Sequence, residues 1–388
     1  MASTQDSPLP PAYAVARLPA PLSARSNQGQ AQARCLRTSA RLLDGMQKEA
    51  LVACGRSGLG WRLPGDEGPS LKGSDLAPSP LAYFGAGMAA CYLGALQALL
   101  QERGIPFRKL QLRLDNRYAM QGSASAGTLT GTALPLTLQL VIDSPRKSSE
   151  LQALLQEATA TAAVAAMLNG VCINEFSLTH NGERLATERV VSTIDSVPPA
   201  PSGFDTLQPA TPALEEALLG RLPECIADDS SASGLQDSQQ RELLLRSNCV
   251  LRDDGLLECL VEPLQPGGHR FRLLADPAGK RAPDGLVYLA AGIAMSFLAQ
   301  VKRCCAIRQW PLQDCSIVQD SCFEAGHEGR SPRMQPVVTH LFLQAGLAPE
   351  QTQQLLDISE QCCFLHAACR QPVGLELREL CRAIPIIP

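Results

Sequence analysis

Aromatic residues are scarce in this sequence, at 4% of 388 residues, and neither sign of charge dominates. The chain carries 34 Lys+Arg against 38 Asp+Glu, a formal charge of −4. Without a basic excess, neither nucleic acid nor an anionic membrane is expected as a partner, since both recruit positive surface. No run approaches the roughly 18–20 uninterrupted apolar residues of a membrane span. Residues 1–33 are rich in Pro, Ala, Ser and Gln and lack a basic start followed by an apolar run. They read as a mobile tail, not a secretory signal. A Gly-rich phosphate loop, a dinucleotide fingerprint and a Ser-His-Asp ordering are also missing, so no cofactor is expected. Gly85-x-Gly87 falls inside a helix pattern and reads as packing.

Cysteine, in contrast, is abundant. The count of 15 is odd and the spacing irregular, with adjacent pairs at Cys304-Cys305 and Cys362-Cys363. Secreted disulfide scaffolds are short and hold even numbers of cysteines. The expected setting is therefore a reducing cytoplasm, in which most thiols act as small buried hydrophobes and a few are left for chemistry.

The chain also repeats itself. Pro80–Leu93 lies over Gly285–Leu298 without a gap, placing Leu81, Tyr83, Gly87 and Leu93 on Leu286, Tyr288, Gly292 and Leu298. Upstream, Asp44-Gly45 falls on Asp254-Gly255 and Trp61-Arg62-Leu63 on Phe271-Arg272-Leu273. Downstream, Leu154-Leu155 falls on Leu355-Leu356. The order predicts a duplication, with one repeat over 34–195, a Pro- and Ser-rich linker over 196–238 and a second repeat over 239–388.

Each half predicts the same elements. Cys35–Leu43 and Ala50–Cys54 flank an Asp-Gly turn as a hairpin, and Gly60–Leu63 follows. A long helix over Leu81–Arg103 begins with small residues that let backbones approach closely. A strand over Leu134–Ile142 precedes a last helix, Ser149–Leu168, ending at Asn169-Gly170 as a left-handed cap. Cys172–Asn181 closes the unit. The second half has its helices near Leu286–Ala306 and Pro349–Arg370. One short helix is expected in the linker, over Pro212–Arg221.

The run from Gly60 through Pro78-Ser79-Pro80 into Gly87-Met-Ala-Ala-Cys91 resembles the signature of the OsmC/Ohr family. It contains an acidic turn, a Gly-rich approach, a Pro-Ser-Pro entry and an Ala/Gly helix carrying a cysteine. The resemblance implies an α+β fold in which two OsmC-like repeats form an intrachain pseudo-dimer. Long central helices would be wrapped by curved antiparallel sheets, and fusion would keep the halves close.

Peroxidase members use a thiolate on the central helix, a second cysteine on the last helix, an arginine and a glutamate. By resemblance Cys91 is the nucleophile, while its counterpart in the second half is Ser296. The last-helix position is Ala162 in the first half and Cys363 in the second, so a composite site requires Cys91 to meet Cys363. Arg62 and Arg272 are the candidate arginines. The glutamate position is occupied by Leu81 and Leu286. Cys91 lies about three turns into its own helix, beyond reach of that helix's dipole. Cys362, His366 and Cys369 share one helical face, with Cys363 or Cys304-Cys305 nearby. Their expected role is core packing, with no metal.

The resemblance implies reduction of organic hydroperoxides through Cys91, reset by a dithiol of lipoyl or thioredoxin type. An alternative is a catalytically degenerate binding or scaffold protein with a small apolar ligand between the repeats. A third is a one-cysteine redox sensor or persulfide carrier.

Overall fold

The fold is seen in a computed structural model, which describes residues 9–15, 18, 33–55, 58–123, 127–211, 214–224, 241–264, 268–327 and 329–381. Its centre is a pair of long helices, α1 (Pro80–Glu102) and α4 (Gly285–Arg308). Ser79 caps α1 by accepting from the Ala82 amide at 3.2 Å, Pro80 supplies a preset φ, and no β-branched residue interrupts the helix. Gly104, at φ +59°, follows its last turn. Asp284 caps α4, its Oδ1 accepting from the amides of Leu286 and Val287 at 2.8 and 3.1 Å. By length and composition both helices could cross a membrane, yet here they lie mostly buried inside the fold.

The first half contributes β1 (Tyr13–Val15), β2 (Arg34–Leu42), β3 (Lys48–Cys54), β4 (Gly60–Gly65), β5 (Lys109–Gln121) and β6 (Thr130–Asp143). It continues with α2 (Ser148–Thr161), α3 (Ala165–Asn169), β7 (Asn174–His180), β8 (Glu183–Leu185) and β9 (Val191–Ser192). Then come β10 (Leu219–Glu224), β11 (Arg241–Leu251), β12 (Leu257–Pro263) and β13 (His269–Ala275). After α4 follow β14 (Leu312–Glu324), β15 (Arg333–Met334), β16 (Val337–Ala345), α5 (Pro349–Cys362), α6 (Phe364–Arg370) and β17 (Leu375–Leu377).

Two sheets wrap the helix pair, and each takes strands from both halves. One runs β1-β4-β3-β2-β14-β16-β7-β8, and the other β10-β13-β12-β11-β5-β6-β17. The seams correspond: β2 pairs with β14, and β11 with β5. Cys35 and Cys322, opposite one another across the first seam, form a disulfide. A disulfide is not expected there, since most thiols read as small buried hydrophobes. The sheets are not wholly antiparallel, because β16/β7 and β6/β17 run parallel. In both cases a strand late in one half returns past its helices and pairs with a strand of the other half.

The helices cross through their glycines. A Cβ on Gly87 would lie 2.5 Å from the Gly285 carbonyl oxygen, and one on Gly292 would lie 2.8 Å from that of Pro80. Beside the crossing the rings of Tyr83 and Tyr288 stand 5.7 Å apart. Their hydroxyls donate to the carbonyls of Pro64 and Leu274, both at 2.6 Å. All four polar atoms are buried, and these matched bonds remove the cost of leaving them unpaired.

Several expectations change. Residues 13–15 of the expected tail add a strand to β4. The expected linker helix is instead β10, which pairs with β13, and residues 212 and 213 lie outside the described residues. The last helix of each half is broken, after Thr161 and after Cys362. Gly170 is extended at φ −127°, with no left-handed cap. The hairpins align one residue differently from the sequence match: Leu42 pairs with Lys48, and Leu251 with Leu257, so Asp44 corresponds to Asp253.

Candidate thiol sites at the helix crossing

The glycine contacts place the N-terminus of each central helix beside the middle of the other. Gly87 meets Gly285 and Leu289, while Gly292 meets Pro80 and Phe84, so α1 and α4 run antiparallel. Two corresponding positions result, one at each end of the crossing.

Cys91 occupies the first, half-buried against the start of α4. A Cβ on Gly285 would lie 2.6 Å from its sulfur, so only glycine leaves the thiol room there. The helix N-terminus facing this sulfur is that of α4, not of its own helix. Directly before Gly285 stands Asp284, ion-paired with Arg34 of β2. Arg34 also approaches Cys54, with its Nη2 3.8 Å from that sulfur. Burial pushes the Cys91 thiol up to about 12; the Arg34 guanidinium acts in the opposite direction and Cys259 adds to the rise. Cys259, on β12, has its sulfur 2.8 Å from that of Cys249, its cross-strand partner on β11. Burial, and the contact with Cys259, drive the Cys249 thiol well above its ordinary range.

Ser296 occupies the second position. Its hydroxyl lies 3.4 Å from the sulfur of Cys363, which also lies 3.2 Å from Nδ1 of His366. The break between α5 and α6 makes this contact possible, since Cys363 sits at the break with an extended backbone. Burial raises the Cys363 thiol, with Ser296 acting in the opposite direction. Burial holds His366 down at about 3, with Arg370 adding to the shift. Phe176 and Phe297 pack on the imidazole at 5.5 and 5.1 Å.

Cys91 and Cys363 are therefore not brought together. Cys91 is level with Gly285, whereas Ser296 lies a turn beyond Gly292, near the start of α1. At about 1.5 Å per residue, the two positions are roughly 16 Å apart along the pair. Cys363 instead meets the central helix of its own half, at Ser296. The corresponding first-half position is Ala162, which has no sulfur.

Arg62 and Arg272 are also elsewhere. Arg62 donates to Glu49 at 2.6 Å and to the Tyr13 hydroxyl at 2.8 Å. Arg272 donates to Glu216 at 2.8 Å and to the Ala217 carbonyl at 3.0 Å. Both project from strands next to the sheet edges into ion-pair networks of their own. The arginine and the carboxylate that stand beside Cys91 are Arg34 and Asp284. Sequence reading sought the acid after a proline in the same half, but here it follows Pro283 in the opposite half. At the Ser296 end the corresponding residues are Leu243 and Ser79, neither of them charged. Cys362, His366 and Cys369 do not converge, and no cluster fit to hold a metal occurs among the described residues.

Residues 73–175, which include Cys91, match the family model of OsmC-like proteins. Among curated proteins, none matches the chain. Among solved structures, the chain is similar to an OsmC-like hydroperoxide resistance protein from Jannaschia sp. CCS1. The identity is 20%, covering 33% of this chain and 81% of that one, with a TM-score of 0.20. By that family model, the segment 73–175 is an OsmC-like region.

Proposed function

We propose that this protein consists of two OsmC-like repeats joined as an intrachain pseudo-dimer, and that it reduces organic hydroperoxides through Cys91. The observation carrying this reading is the Arg34–Asp284 ion pair, formed between the two halves beside the Cys91 thiol. The chemistry needs a thiolate, a cation for the peroxide oxygens and a group that orients the cation. At rest the thiol is protonated, and Arg34 is committed to Asp284. Entry of a hydroperoxide draws the guanidinium toward the developing charge, a contact that tightens only in the reacting complex. The Cys91 thiol gives up its proton as its sulfur attacks one peroxide oxygen, the O–O bond breaks, and the departing alkoxide takes up that proton to become an alcohol. Cys91 becomes a sulfenic acid. The Cys259 sulfur, in place of the one missing at Ala162, then attacks that sulfur; an S–S bond forms, the S–O bond breaks and water leaves, and an external dithiol resets the pair.

The test is consumption of cumene hydroperoxide by the purified chain with a dithiol, beside Cys91→Ser and Arg34→Gln. Turnover should vanish in the first variant and fall at least tenfold in the second. Equal inertness of wild type and Cys91→Ser would sink the reading.

A second reading, a catalytically silent scaffold, draws on the thiol's rise to about 12. In that case Cys91 packs the helix crossing and reacts with nothing.

A further inference from the structure

Away from the helix crossing, a small surface pocket opens between the C-terminal half of α4 and the end of α5. Cys304, Cys362, Arg303, Arg308, Gln300 and Leu129 are among the residues that line it. Cys304 is 7% exposed and Cys362 1%, so the first sulfur is the more accessible of the two. The Cys362 sulfur lies 3.3 Å from the Leu129 carbonyl. Arg303 donates to Gln300 at 3.1 Å. Arg308 stacks on Trp310, and its buried Nε has no hydrogen-bond partner among the described residues. Two cysteines, two guanidiniums and an unpaired donor thus share one solvent-connected hollow.

We propose that Cys304 and Cys362 form a redox-active dithiol that takes small hydroperoxides, with Cys304 as nucleophile and Cys362 as resolving thiol. Cys304 is the apt nucleophile. Its ionised form accepts a hydrogen bond from Cys362 and is further favoured by Arg303 and Arg308, which together lower its proton affinity against the opposing effect of burial. Cys362 shifts the opposite way, because it supplies that hydrogen bond and is buried. Ser359 also faces Cys304, while Cys305 and Lys302 flank it on α4. The small hollow excludes bulky disulfides and large acyl peroxides, which leaves compact peroxides as the substrate class.

The steps balance. The Cys304 thiolate attacks one oxygen of the peroxide, an S–O bond forms and the O–O bond breaks. The released oxyanion takes a proton from water, and Cys304 is left as a sulfenic acid, oxidised by two electrons. The Cys362 sulfur then attacks that sulfur. An S–S bond forms, the S–O bond breaks, and hydroxide leaves with the Cys362 proton as water. An external dithiol returns the pair to its reduced state.

Cys91 takes no part, and the test keeps the two sites apart. In full-length Cys91→Ser protein, one equivalent of hydrogen peroxide should remove two hydrogens from the intact mass. Peptide mapping should place the new link between Cys304 and Cys362. Adding Cys362→Ser should halt the reaction at a sulfenic acid on Cys304, detected by a 1,3-dione trap. In wild type, iodoacetamide should label Cys304 first, with a rate midpoint at least one pH unit below the ~8.5 of a free thiol. Labelling of Cys304 no faster than that of the other thiols at pH 7, or a two-hydrogen loss mapping elsewhere, would overturn the proposal. Neither outcome depends on whether Cys91 consumes cumene hydroperoxide.

Discussion

The Ser296 hydroxyl lies 3.4 Å from the Cys363 sulfur, which reproduces a nucleophile–resolver contact with oxygen in place of the first sulfur. The second half thus keeps the arrangement and lacks the chemistry. Ser296→Cys should restore a thiol pair, and mild oxidation should then yield a Cys363-containing disulfide absent from wild type. Non-reducing peptide mapping would reveal it. Failure to form that link would mean that the break between α5 and α6 does not hold Cys363 against α4 in solution.

Asp284 has two duties, capping α4 and pairing with Arg34. Asp284→Ala removes both and should lower unfolding stability by roughly 2–3 kcal/mol, about 1 of it from the cap. Asp284→Asn keeps a capping oxygen and should lose less. Hydroperoxide turnover should fall comparably in both variants, because both release Arg34. Urea unfolding alongside the peroxidase assay separates the two duties.

The helix crossing tolerates no added carbon. A Cβ on Gly87 would lie 2.5 Å from one backbone atom and 2.7 Å from another, and backbone cannot rotate aside as a side chain can. Gly87→Ala should therefore destabilise by about 2–3 kcal/mol, even though alanine is the better helix former. Gly94→Ala, whose nearest contact would be 3.8 Å, is the control and should be neutral or stabilising.

His366 makes stability depend on acid. The unfolded chain takes up this proton below about pH 6.5, while the folded chain resists until about 3. The stability contributed by the neutral ring is complete above pH 6.5 and falls as the pH drops through that window. The slope from this group approaches ~1.4 kcal/mol per pH unit. Urea midpoints from pH 7 to 5 should fall more steeply for wild type than for His366→Gln. Parallel slopes would place His366 in contact with water.

The central helices were legible because their small residues must lie where two backbones nearly touch, and nowhere else would that composition be stable. The hairpins showed through apolar alternation around their turns. Residues 13–15 and 219–224 did not, because short strands beside prolines are set by partners far away in sequence. The breaks after Thr161 and Cys362 carry no glycine or proline, and tertiary contacts override a good helical pattern there. One such contact is the Gly326 amide donating to the Thr161 carbonyl at 2.8 Å. Arg34 and Asp284 are 250 positions apart in sequence, so no local spacing could join them. The one local sign was Asp284 itself, a good N-cap residue directly after Pro283. Cys304 and Cys362 were both noticed as members of adjacent pairs, but which member faces which neighbour depends on the rotation of two packed helices.

The Cys35–Cys322 bond has a topological consequence. It ties β2 of one half to β14 of the other, strands that the polypeptide also joins through the chain between Cys35 and Cys322. The chain is thereby closed into a ring that includes α1, both seams and α4. A protease cutting once between Glu224 and Arg241 would open the ring without producing two molecules. In denaturant the nicked protein should migrate as a single species until reductant is added, and as two afterwards. Oxidised, the halves are permanently one object; reduced, they hold together only as long as they stay folded.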